Sequence, residues 1–126
     1  MSREYVIECI ENASHVVTLA VGGRVVAHAE ATRNALAPHR ATVSAAVEPD
    51  HWGSGTGSRV LSMALAWCDD PGNGIDWVDG WAWADNERAL RMDAKLGFEV
   101  VGRLQDVWRD GNRSRDQVML VRKRRL

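Results

Sequence analysis

Gly53, Gly55 and Gly57 alternate through the run Trp52-Gly53-Ser54-Gly55-Thr56-Gly57, between a β-rich segment and a helical one. Residues this small let backbone N–H groups turn towards one point, and the start of the next helix adds positive potential there. A pyrophosphate is the natural guest. No Lys-Ser or Lys-Thr follows the glycines, so a Walker phosphate loop is excluded. The spacing is not Gly-x-Gly-x-x-Gly, and no acidic residue closes a following strand in the dinucleotide pattern. Base chemistry has separate candidates. His28 and Glu30 share one face of a strand, Asp79 has the parity of Trp81 and Trp83 on another, and His51 adjoins the glycine run. An imidazole has the right pKa for base work near neutrality. The four histidines are scattered without ligand spacing, so no metal site is expected.

Periodicity supplies the elements that position these residues. Tyr5 to Ile10 reads as a strand. Val16 to Val21 and Arg24 to Ala31 read as a hairpin about Gly22-Gly23. Ala41 to Val47 is a further strand, stopped by Pro49. From Ser58 to Cys68 the period becomes helical, with Val60, Leu61, Ala64, Leu65 and Cys68 on one stripe. Ile75 to Ala84 is a Trp-rich strand. Asp85 or Asn86 caps a helix running to about Leu96, with Gly97 at its C′ position. Strands over Glu99 to Trp108 and Asp116 to Arg122 flank the turn Asp110-Gly111-Asn112. The predicted fold is α/β or α+β: a mixed, mostly antiparallel sheet with a central strand-helix-strand crossover and two main helices.

The 126 residues fit one domain over the whole chain. A net charge of -1 gives no global attraction to nucleic acid or an acidic membrane. The basic end Arg122-Lys123-Arg124-Arg125 therefore reads as a solvated strand end. No apolar run approaches the roughly 18 residues of a membrane helix. No signal-peptide core follows Met1-Ser2-Arg3-Glu4. A cytoplasmic location, with Cys9 and Cys68 as reduced, buried thiols, is the expectation.

The stretch from about Val43 to Met119 resembles the GNAT family of acetyl-CoA-dependent N-acetyltransferases. Val47-Glu48-Pro49 followed by Trp52 to Gly57 matches its cofactor block. Asn86-Glu87-Arg88-Ala89 running to Leu96-Gly97-Phe98 matches its second block. Gly102, Gly111, Asp116 and Met119 match its closing hairpin. The resemblance implies acetyl-CoA as co-substrate and no metal. It implies pantetheine pairing near Val47 and a pyrophosphate site over Trp52, Gly53, Ser54, Gly55, Thr56, Gly57 and Ser58. The Asn86 side chain would bond the cofactor arm, and Arg59 or Arg91 is a candidate for a CoA phosphate. The acceptor implied is a small-molecule amine or a peptide N-terminus.

Three positions depart from the family. Trp52 replaces the usual Arg or Gln. Trp81 replaces a catalytic Glu found in some members. Asp93 stands where many members carry a Tyr that protonates the leaving thiolate. An Asp of ordinary pKa, about 3.9, is ionised near neutrality and would repel a forming thiolate. The pattern reads Asp93 as a solvated helix residue, and a donor role requires burial to raise its pKa by several units. Asp79, His28 and Glu30 are the replacement bases. Without a strong base, an α-amine costs about 1 kcal/mol to deprotonate at pH 7 and a lysine-like amine about 4–5 kcal/mol, which favours acceptors of low amine pKa. The family places two helices between its first two strands, and only Glu11 to Ser14 stand there in this chain. One sheet face is therefore expected bare, wide and shallow, or covered by a second subunit in a homodimer. Besides an active transferase, the residues fit a catalytically weak acyl-CoA-binding regulatory protein, or an interaction module docking a partner on the open face.

Overall fold

The strands are β1 (Glu4–Glu11), β2 (Ser14–Val21), β3 (Arg24–Arg33), β4 (Arg40–Val47), β5 (Trp77–Trp83), β6 (Glu99–Asp110) and β7 (Arg113–Lys123). The helices are α1 (Thr56–Asp69) and α2 (Glu87–Lys95). This computed structural model describes residues 3–11 and 14–125. One seven-stranded sheet runs in the order β1-β2-β3-β4-β5-β7-β6. Every pairing is antiparallel except that of β4 with β5, which α1 connects. The predicted mixed sheet with a strand-helix-strand crossover and two helices is the fold observed.

Alternation builds the core. Val17 and Leu19 of β2, Ala27, Ala29 and Ala31 of β3, and Ala41 and Val43 of β4 meet the stripe Val60, Leu61, Ala64, Leu65 and Cys68 of α1. Small alanines on β3 let α1 lie close to the sheet. Leu90 and Met92 of α2 and its C-cap Leu96 pack on the same core, so both helices cover one face. β1 ends at Glu11 and β2 begins at Ser14, its cross-strand partner, which leaves no room for helices between them. Among the described residues, nothing helical covers the other face, where Thr18, His28, Glu30, Ser44, Trp81 and Met119 stand.

Two expectations change, and β3 is irregular: Val25 is exposed and Val26 buried. Pairing jumps from Leu19↔Ala27 to Ala20↔Val25, so Val26 is the extra residue of a bulge. Cys9 is exposed because it lies on an edge strand, whereas Cys68 is buried and its thiol is pushed up to about 11 by that burial. Arg122 is not solvated. It is 4% exposed, donates to both carboxylate oxygens of Asp69 at 2.8 Å, and donates through Nε to the Leu96 carbonyl at 2.7 Å. It ties β7 to the C-terminal ends of both helices. Among the described residues no helix is long and apolar enough to cross a membrane.

Candidate active site

β4 and β5 pair over only three positions, Arg40↔Trp77, Ala41↔Val78 and Thr42↔Asp79, and then separate. The direction of the freed backbone follows from the bonds that remain. Glu48 N–H donates to the Val26 carbonyl, and the Arg40 carbonyl accepts from Asn34 N–H, so even-numbered residues of β4 face β3. By alternation Val43, Ala45 and Val47 turn their peptide groups towards the gap. A cavity of about 240 Å³ fills it, with Val43, Ser44 and Ala45 on one bank and Gly80, Trp81 and Trp83 on the other. Unpaired strand edges beside an open cavity are places for a ligand's amides.

The glycine turn stands at the mouth of this gap. Gly53 and Gly55 have φ of 78° and 83°, conformations that L side chains rarely adopt. A Cβ on either would meet nothing within 4 Å, so the space beside the turn is open. Gly55 caps α1 without a side-chain bond. Among the described residues, the amides of Gly53, Gly55, Thr56, Gly57 and Ser58 have no acceptor. Five such donors at a helix start form an anion cradle. Gly57 has a different reason to be small: a Cβ there would lie 3.1 Å from Val47 Cγ2 and 3.7 Å from Met92 Sδ. The Ser54 hydroxyl binds within the turn, to the His51 carbonyl and the Thr56 hydroxyl. The Trp52 indole N–H donates to the Val47 carbonyl at 2.7 Å, laying the ring over the end of the gap.

Asp93 corrects the sequence reading. It is 8% exposed and lines the cavity beside Met92 and Phe98. Ala89, Met92 and Asp93 fall at helical spacing on the stripe of α2 that faces the sheet, so register overrides hydrophilicity. It is the one ionisable side chain lining the cavity among the described residues, and burial pushes its carboxyl up to about 6. Asn86 is the N-cap of α2, its Oδ1 accepting from Ala89 N–H at 3.2 Å. Asn86 also lines the cavity.

The other nominated residues separate into two places. Asp79 accepts from Arg40 Nε at 2.9 Å and from its Nη2, at the closed end of the gap opposite Thr42. This ion pair engages both of its oxygens. His28 and Glu30 stand together on the helix-free face, His28 Nε2 lying 3.5 Å from the Glu30 carboxylate. Their cross-strand partners, Ala46 and Ser44, are on the near bank of the gap. His51 closes the short turn Pro49–His51. Arg59 is paired with Glu4, and Arg91 is 3.9 Å from Glu87. Sequence reasoning missed the Trp52 contact, the Arg40 clamp on Asp79 and the position of Arg115, 4.5 Å above the Trp83 ring and paired with Asp85. The shared parity of Trp83 and the β7 odd-numbered residues was the only available signal for the last.

The sequence matches the family model described as "Acetyltransferase (GNAT) family" over residues 2–98. No curated protein matches it. Solved structures do match in fold. The Salmonella typhimurium protein yncA, described as an acetyltransferase with its cofactor acetyl-CoA, is 20% identical with a TM-score of 0.77, over 89% of this chain and 65% of that one. A ribosomal-protein-alanine N-acetyltransferase from Brucella melitensis is 19% identical with a TM-score of 0.74, over 87% and 68%. A spermidine N-acetyltransferase chimera of Vibrio cholerae is 16% identical with a TM-score of 0.74, over 90% and 69%. The family match spans the glycine turn, both banks of the gap and α2, and by it the chain belongs to the GNAT acetyltransferase family.

Proposed function

We propose that the protein is an acyl-CoA-dependent N-acyltransferase that moves an acetyl group from acetyl-CoA to a primary amine by direct attack. The observation that carries this reading is the gap between β4 and β5, which opens at one end on the acceptor-free amides of the glycine turn. The fit to the co-substrate is specific. The space beside Gly53 and Gly55 is empty, as a pyrophosphate needs. The freed peptide groups of Val43 and Ala45, with the Val47 N–H, suit the amides of a pantetheine arm. Bound acetyl-CoA supplies an acetyl thioester, whose carbonyl carbon gains a bond to the amine nitrogen and loses its bond to sulfur.

The chain's own residues do the rest. The glycine-turn amides and the start of α1 hold the diphosphate. The β4 edge orients the arm, which is the proximity contribution. Trp52 holds the Val47 carbonyl at the end of that edge. Asp93, partly protonated near neutrality, holds the proton for the departing sulfur. His28 receives the proton of the attacking amine, and Glu30 orients the imidazole. No carboxylate of β5 reaches the gap unpaired, so the acceptor is one whose amine sheds its proton readily. The Arg40 clamp on Asp79 also favours a second reading, a catalytically weak acyl-CoA-binding regulatory protein. Both readings give saturable acetyl-CoA binding. Only the transferase gives free thiol on adding an amine, and a thiol-release assay over α-amines and ε-amines separates them. Turnover favouring α-amines supports the proposal, and binding without thiol release supports the alternative.

A further inference from the structure

Gly80 has no conformational reason to be glycine. It sits inside β5, paired with Leu120, and its φ is not positive. A Cβ there would lie 3.7 Å from Phe98 Cε1 and 3.9 Å from Val43 Cγ2. These are ordinary van der Waals contacts, so neither backbone nor packing excludes a side chain. Glycine inside a strand weakens it and marks places where another molecule approaches closely. Gly80 is buried and lines the cavity, so the side chain it lacks is part of that empty space.

The two sides of the cavity differ. Gly80 has the parity of Val78 and Ala82, on the face that the helices cover. Val43, Leu61, Ala82, Phe98 and Leu120, all buried, line the cavity with it. Ser44 and Trp81 stand on the opposite face. The helix side is therefore an apolar recess whose ionisable group is Asp93. Among the described residues no Lys, Arg or His lines the cavity. An alkyl chain lodged there exchanges water for apolar contact. A carboxylate lodged there is desolvated without a cation and faces another carboxyl.

We infer that the acyl donor is a coenzyme A thioester whose uncharged alkyl chain is about one or two methylenes longer than acetyl, and that the vacancy at Gly80 selects it. This inference rests on the transferase reading above and extends its donor beyond acetyl. The step keeps its balance. The acyl carbon gains a bond to nitrogen and loses its bond to sulfur, while the amine gives up a proton and the sulfur takes one.

Acetyl-, propionyl-, butyryl- and succinyl-CoA test this on the full chain by calorimetry. Kd should fall about fourfold for each methylene from acetyl to butyryl. Butyryl and succinyl groups have the same carbon count and differ by a terminal carboxylate. Succinyl-CoA should therefore bind at least about tenfold more weakly than butyryl-CoA. Gly80→Ala puts a methyl group into the recess and should cut the preference for butyryl over acetyl about tenfold. A residue that acts on strand stability alone would move both thioesters alike. Acetyl-CoA or succinyl-CoA binding as tightly as butyryl-CoA would overturn the inference, as would a preference that folded Gly80→Ala leaves unmoved. Thiol release on adding an amine keeps the two readings apart. Tighter butyryl-CoA binding with no thiol released counts against the transferase alone. Thiol released from acetyl-CoA with no gain in affinity along the series counts against the longer donor alone. Absence of any thioester binding overturns both.

Discussion

Asp93 is buried among apolar groups where water would otherwise hold its charge, and this has two consequences of opposite sign. Its folded pKa of about 6 lies above its ordinary 3.8, so the folded state binds the proton more tightly. The stability this gives is complete below the ordinary value and is lost as pH rises through 6. Asp93→Asn should therefore stabilise the protein at pH 8 by about 1–2 kcal/mol and change little at pH 3.5, as read by denaturant midpoints at the two pH values. The same substitution removes the proton for the leaving sulfur. Thiol-release kcat should fall about 100-fold with acetyl-CoA affinity unchanged, as initial rates and calorimetry would report. A gain in stability with a loss of rate is the mark of a residue kept for chemistry. The sequence made the position of Asp93 visible but not its burial. Its polarity argued for solvent, and only the packing of Ala89 and Met92 against the sheet puts it inside. Asp79 shows the reverse. Its parity was readable, but the arginine that occupies it lies 39 residues away on β4.

Among the elements, the glycine turn and the gap were largely legible. Alternate glycines between a β run and a helical stripe locate the turn, and the observed α1 begins two residues before the predicted Ser58. The cap was narrowed to Asp85 or Asn86, of which Asn86 is the one observed, and Gly97 stands as the C′ residue, where φ is 97°. The bulge that buries Val26 was not legible, because a period of two carries no record of an inserted residue. Nor was the early parting of β4 from β5, since Ala45 and Ala46 look like any strand interior. Gly55→Val should weaken CoA binding at least about thirtyfold, because a β-branched residue resists φ of 83° and fills the empty cradle. Circular dichroism should show the fold retained. Trp52→Phe keeps the ring but frees the Val47 carbonyl, and should tighten CoA binding about two- to fivefold in the same titration.

At the scale of the whole molecule, one face is packed by both helices and, among the described residues, nothing helical covers the other. The short passage from β1 to β2 announced this in the sequence, and the pairing of Glu11 with Ser14 bears it out. Tyr5, Ile7, Trp81 and Met119 are exposed on the bare face. We propose a second copy of the chain as cover for the β1 side of it, and sedimentation should then give a concentration-dependent mass. Arg122 holds the packed side together. Burial would raise the Asp69 pKa, yet the Arg122 guanidinium brings it below the usual range. That stabilisation is present above the ordinary carboxylate pKa and is lost as pH falls through the lowered value. Arg122→Ala should cost about 2–3 kcal/mol at pH 7 and flatten the acid limb of the stability curve. All of these expectations depend on the open end of the sheet gripping coenzyme A through the amides that begin α1. Isothermal titration of the intact, folded chain with CoA and acetyl-CoA tests that claim most directly. Saturable one-to-one binding that Gly55→Val abolishes is the predicted result, and a flat titration of folded wild-type protein would contradict it.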